Sequence, residues 1–237
     1  MNGGEGRNSA AGGSPAAFFD VDGTLASSNI VTAFLDFQLP RLPAWRRWAW
    51  MALFAPRLPY YAVLDTISRS AFNVTFFRNY ARVDCEELEQ WAEEALEGFW
   101  KPHLYPRGVE QVRRHQEQGH RTVLVGGGIE QVLQPLAQWL GVDLLVGAEI
   151  QKDGACFTGR LIGGPLNGLA KAEATRRAAA SLDIDLERSY AYTDSYHDSP
   201  FLATVGHPVA VNPDWRLRRV ARRRGWPICT WRRAWNT

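Results

Sequence analysis

The chain is poor in cysteine: of its 237 residues only Cys85, Cys156 and Cys229 are cysteines, and no two of them form a C-x-x-C pair. That spacing argues against a paired-cysteine zinc site and against a disulfide framework, and it points to a reducing compartment, the cytoplasm. An excess of one charge is missing too. Lys and Arg number 27 against 25 Asp and Glu, a formal net charge of +2, so no bulk polyanion such as nucleic acid is expected as a partner and any charge signal is local. Long hydrophobic runs are absent. The most lipid-like stretch, WAWMALFAPRLPYYAVL, is broken by Pro56, Arg57 and Pro59, short of the roughly 18 uninterrupted apolar residues of a membrane span. The opening MNGGEGRNSAAGGSP has no apolar core. It reads as a disordered tail over 1–15, neither a signal peptide nor a transit peptide.

What is present begins with a 46% content of apolar residues, enough to bury a sizeable core. After the tail, AAFFD reads as a short buried strand followed by a helix capped by Ser27 or Ser28. From residue 107 onward short apolar runs alternate with helical patterns: GVEQVRRHQEQG, RTVLVG, IEQVLQPLAQWLG and DLLVGAEI, then a hairpin IQKDGACFTGRL, KAEATRRAAASL, SYAYTD, HPVAVN, DWRLRRVARRR and WPICTW. Parallel strands need crossover connections, so the pattern predicts an α/β fold with a Rossmann-like, doubly wound and mostly parallel sheet. The core is expected over 16–39 and 101–237. Residues 40–100 break the alternation and read as an inserted helical unit, including an amphipathic helix with Leu88, Trp91, Ala92, Ala95, Leu96 and Phe99 on its apolar face.

In such a sheet ligands collect at the carboxyl ends of the strands. The first strand ends in FFDVDGT, with Asp20 and Asp22 two positions apart, and SYAYTD ends at Asp194, followed by Asp198. Carboxylates gathered at one edge repel unless a cation joins them, and an all-oxygen set favours Mg²⁺ held by Asp20, Asp22, Asp194 and Asp198. Mg²⁺ commonly takes a phosphate oxygen as a further ligand, so phosphate chemistry leads. Asp20 could then attack phosphorus and carry a covalent phosphoryl group, with Asp22 as general acid and base. Lys171 and the backbone N–H groups of Gly126, Gly127 and Gly128, where TVLVGGG is expected to open a helix, would bind the transferring group. Thr24 either turns the loop or offers a hydroxyl to the same site.

These motifs in this order, DVDGT, the strand ending near residue 126, Lys171 and DSYHD, resemble those of the haloacid dehalogenase-like phosphatases. The interval from Lys171 to Asp194, and a helical insertion after the first motif, resemble the phosphoserine phosphatase-like branch (subfamily IB, helical C1 cap) over residues 16 to 231. The resemblance implies a Mg²⁺-dependent phosphomonoesterase with a small-molecule substrate. It implies Asp20 as nucleophile, Asp22 as acid and base whose carbonyl also binds metal, Asp194 as metal ligand, Asp198 as its support and Lys171 as phosphate clamp. Two positions depart from the pattern. Gly126 stands where the family carries a Ser or Thr donor, which leaves open an impaired enzyme or a binder of phosphometabolites or lipid headgroups, beside a phosphotransferase of the same fold. Asn29 stands where phosphoserine phosphatases carry an amine-binding Glu, which weakens phosphoserine as substrate. Arg57, Arg69, Arg78 and Arg82 instead suit a larger or more apolar phosphomonoester.

The bland readings are these. His197 is expected on a loop surface, and His103, His115, His120 and His207 have no partner spacing. Trp45, Trp48 and Trp50 are expected to pack within the insertion. The alternative for that Trp- and Arg-rich segment, and for residues 216–233, is a weak peripheral contact with a membrane.

Overall fold

The computed structural model describes residues 13–232. Seven strands form one sheet in the order β4-β3-β2-β1-β5-β6-β7. They are β1 (Ala16–Phe19), β2 (Arg121–Ile129), β3 (Leu144–Asp153), β4 (Cys156–Ile162), β5 (Tyr190–Thr193), β6 (His207–Val211) and β7 (Ile228–Cys229). Every pairing is parallel except the β3–β4 hairpin, so the expected α/β architecture is the one observed. The helices are α1 (Ile30–Gln38), α2 (Ala44–Phe54), α3 (Arg57–Ile67), α4 (Arg69–Phe77), α5 (Cys85–Ala95), α6 (Lys101–His103), α7 (Pro106–Glu117), α8 (Glu130–Leu140), α9 (Gly168–Ser181), α10 (Ser199–Leu202) and α11 (Trp215–Arg224).

The position of β1 follows from its composition. All four residues of AAFF are fully buried, because a central parallel strand is covered on both faces and must be apolar on both. Ala17 and Phe19 join one core and Ala16 and Phe18 the other. Burying each Phe contributes about 1.5–3 kcal/mol. Since β1 lies between β2 and β5, its carboxyl end sits where the crossovers diverge to the two sides of the sheet.

Helices α1 to α6 lie between β1 and β2. Rings from several of them hold this insertion together: Phe34 packs against Trp50, Phe54, Phe76 and Tyr80 at centroid distances of 4.8–6.1 Å. In α5 the apolar face is buried at Leu88, Trp91, Ala92 and Ala95, and Asp84 caps the helix by accepting from the N–H groups of Glu86 and Glu87. A π-helical turn over Leu96–Trp100 carries this stripe on to Phe99.

Several expectations change. Helix α1 is capped by Asn29, whose side chain accepts from the N–H groups of Val31 and Thr32. The serines are engaged elsewhere: Ser27 donates to the His103 carbonyl (3.1 Å) and Ser28 to Asp22 (3.4 Å). Residues 1–12 of the expected tail lie outside the described residues, but Ser14 is already tied to the core, its N–H donating to Asp183 O at 2.9 Å and its carbonyl accepting from Asp185 N at 3.0 Å. Gly126, Gly127 and Gly128 do not open a helix. They belong to β2, which still pairs Ile129 with Ala148 after a register shift, so the run makes an irregular strand end and α8 starts only at Glu130. Of the three tryptophans expected inside the insertion only Trp50 packs, stacked on Phe54 at 4.5 Å. Trp45 and Trp48 are 68% and 79% exposed. His115 is not partnerless either; its Nδ1 lies 2.8 Å from Nδ1 of His120 and its Nε2 2.8 Å from the Tyr192 hydroxyl.

Candidate active site

The carboxyl ends of β1 and β5 bring Asp20 and Asp194 to one cleft of about 680 Å³, which Asp22, Lys171 and Asp198 also line. Asp20 extends the parallel ladder, its N–H donating to Tyr192 O at 3.0 Å. Its side chain is buried, and the cation beside it is Lys171. The Lys171 ammonium, 1% exposed on the first turns of α9, donates to Asp20 Oδ1 at 2.5 Å and to Asp198 Oδ2 at 2.9 Å. A buried lysine survives charged only when such partners outweigh desolvation. Burial pushes its pKa down, but Asp198 and Asp20 carry it above the ordinary value.

Asp198 is the better settled of the two carboxylates. Its Oδ1 accepts from the N–H of Gly168 (2.9 Å), and its Oδ2 from Lys171 and from Thr193 Oγ1 (3.4 Å). Although burial raises its pKa, Lys171 and the Gly168 N–H hold it below the usual carboxylate value. Both oxygens therefore accept from protein donors, which places Asp198 as the anchor of Lys171. Asp20 Oδ2 accepts from Thr193 Oγ1 (3.1 Å) and Thr24 Oγ1 (3.2 Å). Its pKa is raised, by burial first and by Asp198, with Lys171 opposing.

The other two aspartates have no such company. Among the described residues neither Asp22 nor Asp194 has an ion-pair partner. Burial and the neighbouring Asp20 push Asp22 up to about 7. Burial, then Asp20 and Asp198, push Asp194 well above its ordinary value. Asp194 Oδ1 receives only a long hydrogen bond from Thr24, at 3.4 Å. The loop is closely fitted around it: Gly23 adopts φ +77°, and a Cβ at that position would fall 2.1 Å from Asp194 Oδ2.

This donor set fits a hard divalent cation. Asp20 and Asp194 bring carboxylate oxygens to the cleft, and neither Asp22 nor Asp194 has an ion-pair partner among the described residues. Among the described residues no group of three or more His, Cys, Asp or Glu side chains is placed to hold a metal ion by itself. An ion here would complete its shell with water and substrate, as Mg²⁺ commonly does.

The glycines divide. Gly127 lines the cleft, whereas Gly126 does not; a Cβ on Gly126 would meet Leu133 Cδ1 at 2.7 Å and Val21 Cγ2 at 3.2 Å. Gly128 lies beneath, beside Leu133. Thr24 is fully buried below the carboxylates. Of the four arginines assigned from sequence to substrate, only Arg69 reaches the cleft, pairing with Asp65 at 3.0 Å. Arg57, Arg78 and Arg82 gather around a different groove. Sequence reasoning missed Thr193, which bridges Asp20 and Asp198, and Asn73, a buried amide on the cleft wall. Thr193 directly precedes Asp194, so its place at a strand end was a usable signal. Asn73 lies inside a helix and carried none. The wall over the insertion is mixed: Ile30, Val31 and Leu35 from α1, Leu58 and Tyr61 from α3 and Phe72 from α4 stand beside polar Asn29, Thr32 and Asn167. Ser70 of α4 donates to Asn167 at 2.9 Å, joining the insertion to the loop before α9.

Residues 17–203 match the family model of the haloacid dehalogenase-like hydrolases, and the chain belongs to that family. The "Inhibition of morphological differentiation protein" of Streptomyces azureus is 38% identical over 149 residues, covering 62% of this chain and 53% of that one. A histidinol-phosphatase of Neisseria meningitidis serogroup C is 26% identical over 235 residues, 90% of this chain and 96% of that one. The crystal structure of a protein of unknown function from Bordetella pertussis Tohama I superposes with a TM-score of 0.79 at 27% identity, covering 92% of this chain and 98% of its own. The chain spans about half the length of several curated relatives it matches.

Proposed function

We propose that the protein is a Mg²⁺-dependent phosphomonoester phosphatase working through an aspartyl-phosphate on Asp20. The observation that carries this reading is geometric: Asp20, held by the buried Lys171 at 2.5 Å, shares one cleft with Asp22 and Asp194, neither of which has an ion-pair partner among the described residues. Asp22, its pKa pushed up to about 7, can both give and take a proton, as a two-stage displacement requires.

In the first stage an Asp20 carboxylate oxygen bonds to phosphorus and the ester oxygen leaves, taking a proton from Asp22. In the second, Asp22 removes a proton from water and the hydroxide bonds to phosphorus. Inorganic phosphate departs and Asp20 is regenerated. Lys171, pointed at Asp20 and fixed by Asp198, holds the negative oxygens of the transferring group. The backbone N–H of Gly127 is a second donor. Mg²⁺, held by Asp20, Asp194 and the Asp22 carbonyl, supplies charge neutralisation for a dianionic ester among carboxylates.

The amide of Gly127, rather than a side chain at 126, serves the phosphate, so the glycine at 126 is compatible with turnover. The apolar side chains of α1 and α3 on the cleft wall, together with Asn29 acting as a helix cap, favour an ester with an apolar body over phosphoserine. The insertion serves as the cap that closes on this body and excludes water.

The test is phosphate release from a panel of phosphomonoesters with Mg²⁺ and with EDTA, alongside Asp20→Asn. Turnover that needs the metal and falls on the order of 10⁴-fold or more in Asp20→Asn is expected. Turnover that survives the substitution ends the covalent scheme, and a panel won by phosphoserine ends the assignment of substrate.

A further inference from the structure

The three arginines excluded from the active cleft are not scattered. Arg57, Arg78 and Arg82 line a groove of about 480 Å³ on the helical insertion, whose apolar lining includes Trp50, Leu53 and Phe54 and which no acidic residue enters. Among the described residues none of the three has an ion-pair partner. Three exposed cations around an apolar floor suit an anion attached to something greasy.

The surface beside the groove carries the same signature. Helices α2 and α3 expose Trp45 (68%), Trp48 (79%), Leu53 (74%), Tyr60 (56%), Val63 (59%) and Ile67 (75%). Large apolar side chains concentrated on one helical pair are uncommon on a surface without a partner. From residue 37 to residue 64 there is no Asp or Glu, while Arg41, Arg46, Arg47 and Arg57 fall in that span. Arg41 is engaged with Glu87. Arg46 lies over the Trp45 ring at 5.0 Å, and Arg47 is held to the Leu42 carbonyl.

We propose that the α2–α3 pair and the adjoining arginine groove dock on the surface of an anionic phospholipid bilayer. Tryptophan and tyrosine enter the interfacial layer, Leu53, Val63 and Ile67 reach the acyl boundary, and the groove arginines receive headgroup phosphates. Nucleic acid would engage the arginines and stack on the tryptophans, but it offers nothing to exposed Leu, Val and Ile; a bilayer engages all of them. The same helix serves both surfaces, since α3 turns Leu58 and Tyr61 into the active cleft while exposing Tyr60 and Val63.

Vesicle flotation tests this without any turnover, so its failure is separate from failure of the phosphatase reading. The full chain is mixed with phosphatidylcholine vesicles, with or without phosphatidylglycerol, at low and high salt. Expected is flotation with the anionic vesicles that weakens as salt rises. Arg57→Glu with Arg78→Glu should lower the partition coefficient at least about tenfold. Trp45→Ser with Trp48→Ser should lower it comparably, while Arg222→Glu with Arg223→Glu on α11 should leave it within about twofold. Circular dichroism melts of each variant guard against misfolding. No flotation, equal flotation with neutral vesicles, or loss only in the α11 variant overturns the proposal. So does a dimer seen in sedimentation that the tryptophan substitutions dissolve while vesicle binding is absent, or tighter binding to an oligonucleotide than to anionic vesicles.

Discussion

The two halves of the candidate cleft are built on opposite electrostatic terms. On one side Asp198, Lys171 and Asp20 form a buried chain at 2.9 and 2.5 Å, the lysine sharing its charge between two carboxylates. On the other, Asp22 and Asp194 are half-buried, with raised pKa values and, among the described residues, no ion-pair partner. The difference teaches that the polypeptide supplies its own cation to one half of the cleft only. On the proposed reading a divalent cation would complete the Asp22 and Asp194 half, relieving carboxylate repulsion and letting a dianionic ester approach.

The comparison breaks most sharply at Lys171. Lys171→Met should leave Asp20 and Asp198 buried side by side without their cation, costing about 3–5 kcal/mol of stability and lowering kcat/KM by at least about 10²-fold. Chemical denaturation and phosphate release measure the two effects. A variant as stable as the parent would mean that the chain of contacts carries no weight.

The second half responds to metal. Mg²⁺ near a hundredfold above its Kd should add about 2.7 kcal/mol of stability, a rise in Tm of roughly 5–10 °C, and Asp194→Asn should abolish most of it. Without metal, pH acts in a definite direction. Asp22 has an ordinary pKa of 3.8 and a folded value of about 7, so the folded state binds the proton more tightly than the unfolded chain. Its contribution to stability is present in full below 3.8 and is lost as pH rises through 7. Metal-free protein should therefore lose stability from this group as pH rises from about 4 to about 7, and Mg²⁺ should narrow the loss. Calorimetry across that range, with and without EDTA, decides; a gap that Mg²⁺ widens would overturn the division of the cleft.

The smallest effect sharpens the boundary of the site. Gly126→Ser should not raise turnover, since its Cβ would press on Leu133 and Val21, and it should cost about 1–3 kcal/mol from overpacking. An increase in kcat would return position 126 to the phosphate.

Much of this cleft was legible in the chain because strand ends are marked locally. An apolar run such as AAFF buries itself, and a carboxylate directly after it must emerge at the sheet edge; the same holds for Asp194 after SYAYT. The glycine run was misread because a strand that persists through three glycines and a helix that begins at them look alike until the pairing of Ile129 with Ala148 is known. The cap of α1 was misread because Ser27, Ser28 and Asn29 are all capable, and only the positions of His103 and Asp22 select among them.

By itself the sequence determined the class of fold and the residues that carry charge to the sheet edge, since burial periodicity and side-chain chemistry are local properties. Which charges meet was decided by tertiary structure alone. Lys171 lies 151 positions from Asp20, and only the order of strands and the placement of α9 bring that ammonium to Asp20 and Asp198 while leaving Asp194 without an ion-pair partner among the described residues. The arginines divide for the same reason: Coulomb interactions act through space, and the distance between Arg69 and Arg57 across a folded helical pair cannot be read along the chain.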